Sequence, residues 1–142
     1  MRYVPHTRQI IDEDSGNVIG IYPAAFKLRP EDKGALSVNW IEFYGSLDDE
    51  SIALAADGFR KNLQKKKLAQ SALFALGNVG EAKRRGKLIR KPIRILHEPE
   101  GENDGHATIR QLDDNDQSFL DALANEVFLD RRAVAKLKLP KA

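Results

Sequence analysis

The chain has 142 residues, of which 42% are hydrophobic and 31% charged, with no cysteine and a net charge of +2. That size and composition fit one globular domain with its own core and exclude a disordered chain. The lack of cysteine excludes disulfides, thiolate zinc sites and cysteine nucleophiles. No apolar run approaches the roughly 18 residues of a membrane span, and Met1-Arg2-Tyr3-Val4-Pro5-His6-Thr7 lacks the apolar core of a signal peptide. A cytoplasmic protein that does not enter a membrane is expected.

In chain order, Gln9-Ile10-Ile11 and Val18-Ile19-Gly20-Ile21-Tyr22 flank the turn cluster Asp14-Ser15-Gly16-Asn17 and predict a β-hairpin ended by Pro23. Phe26 to Arg29 is a short alternating piece stopped by Pro30, and Glu31-Asp32-Lys33-Gly34 is a polar turn. Ala35 to Tyr44 is the best strand pattern in the chain, with a break in its alternation at Trp40-Ile41 that predicts a bulge or two covered faces. Ser46 is the expected N-cap of a helix that carries Ile52, Ala55, Ala56, Phe59 and Leu63 and ends on Lys65, Lys66 and Lys67. Ser71 to Leu76 reads as a strand, Gly77 to Gly80 as a turn, and Glu81 to Arg85 as one helical turn ended by Gly86. Leu88 to Leu96 reads as a strand that Pro92 confines to an edge or delays to Ile93. An acidic loop, Glu98 to Gly105, joins it to a strand from His106 to Leu112, and the short link predicts antiparallel pairing. Asp113 to Asp116 cap a last helix bearing Phe119, Leu120, Leu123, Ala124 and Val127, and residues from Arg131 extend it as a basic tail. The expected architecture is a single α+β domain over 1–142, with 131–142 as a basic C-terminal extension. It has a mostly antiparallel, twisted sheet of four to six strands and two main helices.

Charge is segregated in blocks: −5 over residues 1–59, +11 over 60–94, −9 over 95–130 and +5 over 131–142. The +11 block holds Arg60, Lys61, Lys65, Lys66, Lys67, Lys83, Arg84, Arg85, Lys87, Arg90, Lys91 and Arg94. Gathered on one face, these twelve side chains would bind nucleic-acid backbone and release its counterions. They would equally meet a protein partner, or the acidic face of a second copy in a homodimer. The bland alternative is a solvated surface balanced by the acidic loop and last helix of the same chain. Phe74 is the one aromatic residue among them, which argues against a stacking platform for single strands.

Signals for catalysis are sparser. His97 and His106 lie at the two ends of the acidic loop, where they could form an acid–base pair or, with Glu98, Glu100, Glu102 and Asp104, a metal site. Two surface histidines on an acidic hairpin is the simpler reading. His106-Ala107-Thr108 matches the His-x-Thr pattern of two-histidine phosphoesterases, but that chemistry needs two such motifs, and His97-Glu98-Pro99 and His6-Thr7-Arg8 do not supply the second. Gly77-Asn78-Val79-Gly80 opens a helical turn as an anion-binding loop would, without the spacing of a nucleotide-binding loop. Ser37, Asn39 and Glu42 interrupt a strongly apolar strand that Arg29 precedes; Arg29 and Glu42 are expected as a buried ion pair or, in an open cleft, the same residues as ligand contacts.

The blocks Phe26-Lys27-Leu28-Arg29-Pro30, Leu36-Ser37-Val38-Asn39-Trp40-Ile41-Glu42, Asn78-Val79-Gly80 and His106-Ala107-Thr108-Ile109, in that order, resemble a family of short bacterial proteins over most of the chain. That family has no established activity or cofactor, so the resemblance implies no role for any residue. The expectation from the residues is a non-catalytic binding or accessory module without cofactor or metal, engaging nucleic acid or a protein partner through a basic face. The alternatives are a small enzyme acting on a phosphate-containing substrate with His97, His106 and Arg29 in its site, and a self-associating structural protein.

Overall fold

The computed structural model describes residues 1–111 and 116–141. Its strands are β1 (Arg2–Val4), β2 (Gln9–Ile11), β3 (Val18–Ile21), β4 (Ala35–Asn39), β5 (Leu73–Leu76), β6 (Arg94–His97), β7 (His106–Arg110) and β8 (Asp130–Ala133). Its helices are α1 (Asp49–Lys61), α2 (Val79–Leu88) and α3 (Gln117–Ala122), the last running into a wider π-helical turn over Leu123–Val127. The α+β class and the antiparallel pairing are as the sequence predicts. The eight strands are divided among three small sheets, ordered β1-β5-β8, β2-β3 and β4-β7-β6. Among the described residues no helix is long and apolar enough to cross a membrane.

The four residues of β5 explain the layering. Leu-Phe-Ala-Leu is buried at every position, and side chains alternate between the faces of a strand. Leu73 and Ala75 join a core with Val4, Phe26, Leu36, Ile109, Phe119 and Leu123. Phe74 and Leu76 join a second core with Met1, Ile41, Ile52, Ala55, Ala56 and Val134. Helix α1 therefore covers one face of the β5 sheet, while α3 and the β4-β7-β6 sheet close the other. Tyr3, Phe59 and Phe74 pack ring on ring in the second core, with centroids 4.9–5.7 Å apart.

The two three-stranded sheets meet backbone to backbone at Met1 and Asn39, which exchange two hydrogen bonds, each 2.8 Å. The Arg2 guanidinium adds a bond to the Ser37 carbonyl at 2.7 Å. The Trp40 amide keeps the β7 register by donating to the Gly105 carbonyl, and Ile41–Tyr44 then coil into a 3-10 turn. The long strand expected up to Tyr44 is thus a five-residue strand and a turn, and the break at Trp40-Ile41 marks the change.

Other boundaries moved for local reasons. The α1 cap is Asp48, whose carboxylate accepts from the Ser51 amide at 2.8 Å, so Ser46 lies outside the helix and the lysines at 65–67 lie past its end. Helix α2 is longer than one turn because Asn78 caps the Glu81 amide at 3.0 Å and Glu81 then pairs forward with Arg84 and Arg85. Phe26 to Arg29 is not a strand: Pro23–Phe26 form a 3-10 turn that places Phe26 against Phe128 in the core. Arg131 and the residues after it do not prolong the last helix; residues 131–133 lie in β8, paired with β5, and Val134 is buried. Asp116 caps α3 by accepting from the Phe119 amide at 3.0 Å, while the expected cap residues 113–115 lie outside the described residues.

Gly86 sits inside α2 because the chain returns over it at once. A Cβ there would stand 2.6 Å from the Lys91 carbonyl oxygen, a backbone atom that cannot step aside alone. Gly86→Ala is expected to destabilise the fold by about 1–3 kcal/mol through this overpacking, despite the better helix propensity of alanine. Urea unfolding of the variant beside the unaltered chain measures it, and an equal or higher midpoint would contradict the packing argument.

Candidate functional site

The three residues proposed for catalysis stand apart. In the pairing of β6 with β7, His97 lies opposite Ala107, so its side chain shares the Ala107 face and His106 points to the other. His97 is exposed, with Nε2 2.7 Å from the Asp104 carbonyl and its ring against Trp40 and Phe43 at 5.4 and 5.1 Å. His106 is buried, with Nδ1 2.6 Å from the Glu98 carbonyl. Its Nε2 lies 3.3 Å from a Glu100 carboxylate oxygen, but without the alignment of a hydrogen bond. Arg29 is on a solvent-facing 3-10 turn, held by Asp32 at 2.9 Å and Glu31 at 3.6 Å. That turn leads into the Ala35 end of β4, whereas His106 pairs with Asn39 at the other end, about 13 Å along the strand. The expected Arg29–Glu42 pair does not form: Arg29 takes Asp32, and Glu42 is exposed. Among the described residues no three histidine, aspartate or glutamate side chains gather as a metal-binding group.

The basic residues divide into two populations. Six of the twelve are paired with carboxylates of the chain itself. Arg60 and Lys61 share Asp57, Lys66 reaches Glu102 at 3.2 Å, and Arg84 and Arg85 share Glu81. Arg85 also meets Glu126 at 2.7 Å, and Lys91 meets Asp116 at 2.7 Å. Glu102, Glu126 and Asp116 belong to the acidic block, so the +11 and −9 segments touch within one molecule. Hydrogen bonds from Arg84 and Arg85 hold the Glu81 carboxyl down at about 2. The bidentate Arg110–Glu98 pair likewise keeps Glu98 below the usual carboxylate range.

Among the described residues Lys65, Lys67, Lys83, Lys87, Arg90 and Arg94 have no carboxylate partner. Lys83 and Lys87 follow Val79 at i+4 and i+8, which places the three on one side of α2. All three are exposed, as is Arg90, which lies beyond the helix in a left-handed backbone conformation.

Val79 is also where that stripe meets a cleft. A cavity of about 710 Å³ opens between the N-terminal end of α2, the end of β5 and the core-side face of the β4-β7-β6 sheet. Trp40, Leu47, Val79 and Leu129 line it, and each is more than two-fifths exposed. Phe43, also exposed, stacks on Trp40 at 6.1 Å, so five of the eight large exposed apolar side chains among the described residues collect here. Soluble monomers rarely gather apolar surface in this way away from a binding site. The polar lining includes Glu42, His97, Asn78 and Asp130, and no lysine or arginine. The Met1 amine at its edge is pushed down to about 5 by burial and by Arg2.

Beneath the cleft lies a buried amide pair. Asn39 Nδ2 donates to Asn103 Oδ1 at 2.7 Å and to the Ala55 carbonyl at 3.2 Å, and Asn103 Nδ2 donates back to Asn39 Oδ1 at 3.2 Å. The pair fastens the acidic loop to β4 and α1 and so fixes the Trp40 turn. The sequence singles out Asn39 and Glu42 inside an apolar run, and both line this cleft, whereas Asn103 and the apolar lining contributed by other segments were not expected from the sequence.

Asn103→Ala should leave the buried Asn39 amide without its reciprocal partner and cost about 1–3 kcal/mol. Chemical denaturation of the variant measures the loss, and a change within error would show that the loop is held by other contacts. The chain matches no protein-family model, and no curated protein and no solved structure is similar to it, so any role assigned to this surface rests on its own geometry.

Proposed function

We propose that the chain is a non-catalytic binding module that engages an acidic protein partner through the exposed basic side of α2. The observation that carries this reading is the pair Lys83 and Lys87, without a carboxylate partner among the described residues, running along α2 from the rim of an apolar cleft. Protein interfaces combine an apolar centre with a charged rim in this way. A nucleic-acid duplex is the weaker fit. Half of the basic block is already neutralised internally, and the Glu42 carboxylate borders the cleft, where it would repel phosphate. Self-association through opposite charges is also weakened, since Glu102, Glu126 and Asp116 of the acidic block are already paired with the basic block of the same chain. The dispersal of His97, His106 and Arg29 supports binding over catalysis.

Fluorescence anisotropy with a labelled glutamate-rich peptide and with a duplex DNA of equal charge tests the proposal. The peptide should bind, weaken as salt is raised, and lose about tenfold in affinity with Lys83→Glu combined with Lys87→Glu. No peptide binding at low ionic strength, or tighter binding of the duplex, would overturn it.

A further inference from the structure

The cleft and the stripe together define what the partner must present. We infer that the recognised segment is extended and carries a neutral, bulky apolar residue with carboxylates two and four residues away, the apolar side chain entering the cleft and the carboxylates facing Lys83 and Lys87. This rests on the acidic-partner reading above and adds its recognition motif.

The spacing follows from two rises. Along α2, Lys83 lies about 6 Å and Lys87 about 12 Å beyond Val79. In an extended peptide, residues two and four apart point the same way and lie about 7 and 13 Å along the chain. One face of an extended segment therefore meets Val79, Lys83 and Lys87 in step. Charge sets the direction. The cleft is lined by the carboxylates of Glu42 and of Asp130, the latter paired with Arg132, and by no lysine or arginine, so it accepts a neutral group and leaves carboxylates to the stripe. The apolar end supplies the buried anchor on which binding energy usually concentrates, and the exposed rings and branched chains of Trp40, Leu47, Val79 and Leu129 are the surface it would cover.

The chain reports occupancy itself, because Trp40 is its only tryptophan and lines the cleft. The probes are two tryptophan-free synthetic peptides, one with leucine followed by glutamates two and four positions on, the other with serine replacing the leucine. The leucine peptide should bind about tenfold tighter or more, from burial of one leucine side chain, and should shift Trp40 emission to shorter wavelength. Leu47→Ser combined with Leu129→Ser, both at exposed positions and so without cost to the core, should erase the difference between the peptides while leaving the salt-sensitive binding of the serine peptide intact. Equal affinities with unchanged Trp40 emission would overturn the motif but leave the acidic-partner reading standing. Failure of both peptides to bind would remove both. A dimer that shields Trp40 without peptide would overturn the motif by giving the cleft to a second copy.

Discussion

Two buried side-chain amides, Asn39 and Asn103, hold each other by reciprocal hydrogen bonds, and the surroundings of the cleft depend on that pair. A buried amide without partners is costly, whereas one satisfied on both ends fixes a single arrangement. Asn39 uses its backbone to join the two three-stranded sheets through Met1 and its side chain to reach α1 and the acidic loop. Neighbouring groups are fitted to the same knot. The Tyr44 hydroxyl accepts from the Gly105 amide at 3.1 Å. Gly58 of α1 has no room for a side chain, since a Cβ would meet Tyr44 Oη at 2.6 Å and Asn103 Oδ1 at 2.9 Å. The loop that appears in the sequence as a solvated acidic hairpin is therefore a docked element whose middle residue is in the core.

The charge blocks have a corresponding internal logic. Lys66 on Glu102, and Asn62 bridging Glu100 and Glu102, pin the acidic loop to the turn after α1. Arg85 on Glu126 and Lys91 on Asp116 tie α2 to the last helix and its cap. Most of these pairs are at least partly exposed, so each contributes modestly to stability; their larger effect is to leave α2 with cations on one side only. Segregation along the chain becomes compensation in space, with a narrow residue left over.

The elements legible in the sequence were those with local chemistry. The hairpin was marked by Asp14 to Asn17, the edge strand by Pro92, and the amphipathic last helix by Phe119 to Val127. Errors arose where a distant segment decided the outcome. β4 gives way to a 3-10 turn at Ile41, β5 draws residues 130–133 into a strand, and Glu81 lengthens α2 beyond what its two glycines suggest. The cleft was invisible for the same reason. Trp40, Leu47, Val79 and Leu129 come from separate parts of the chain, and none of them alone departs from an ordinary surface residue. The basic block was visible as a total, but which of its members keep a free charge depends on pairings between segments.

The sheet around β5 draws its strands from residues 2–4, 73–76 and 130–133. Its pairings therefore close loops of about fifty-five to seventy residues, with no local hairpin to seed them. During synthesis the first pairing, β1 on β5, leaves one edge of β5 open until β8 has left the ribosome. That open edge is apolar on both faces, the kind of surface that recruits a foreign strand. The edge that β8 closes is thus the one whose exposure before completion most invites mispairing.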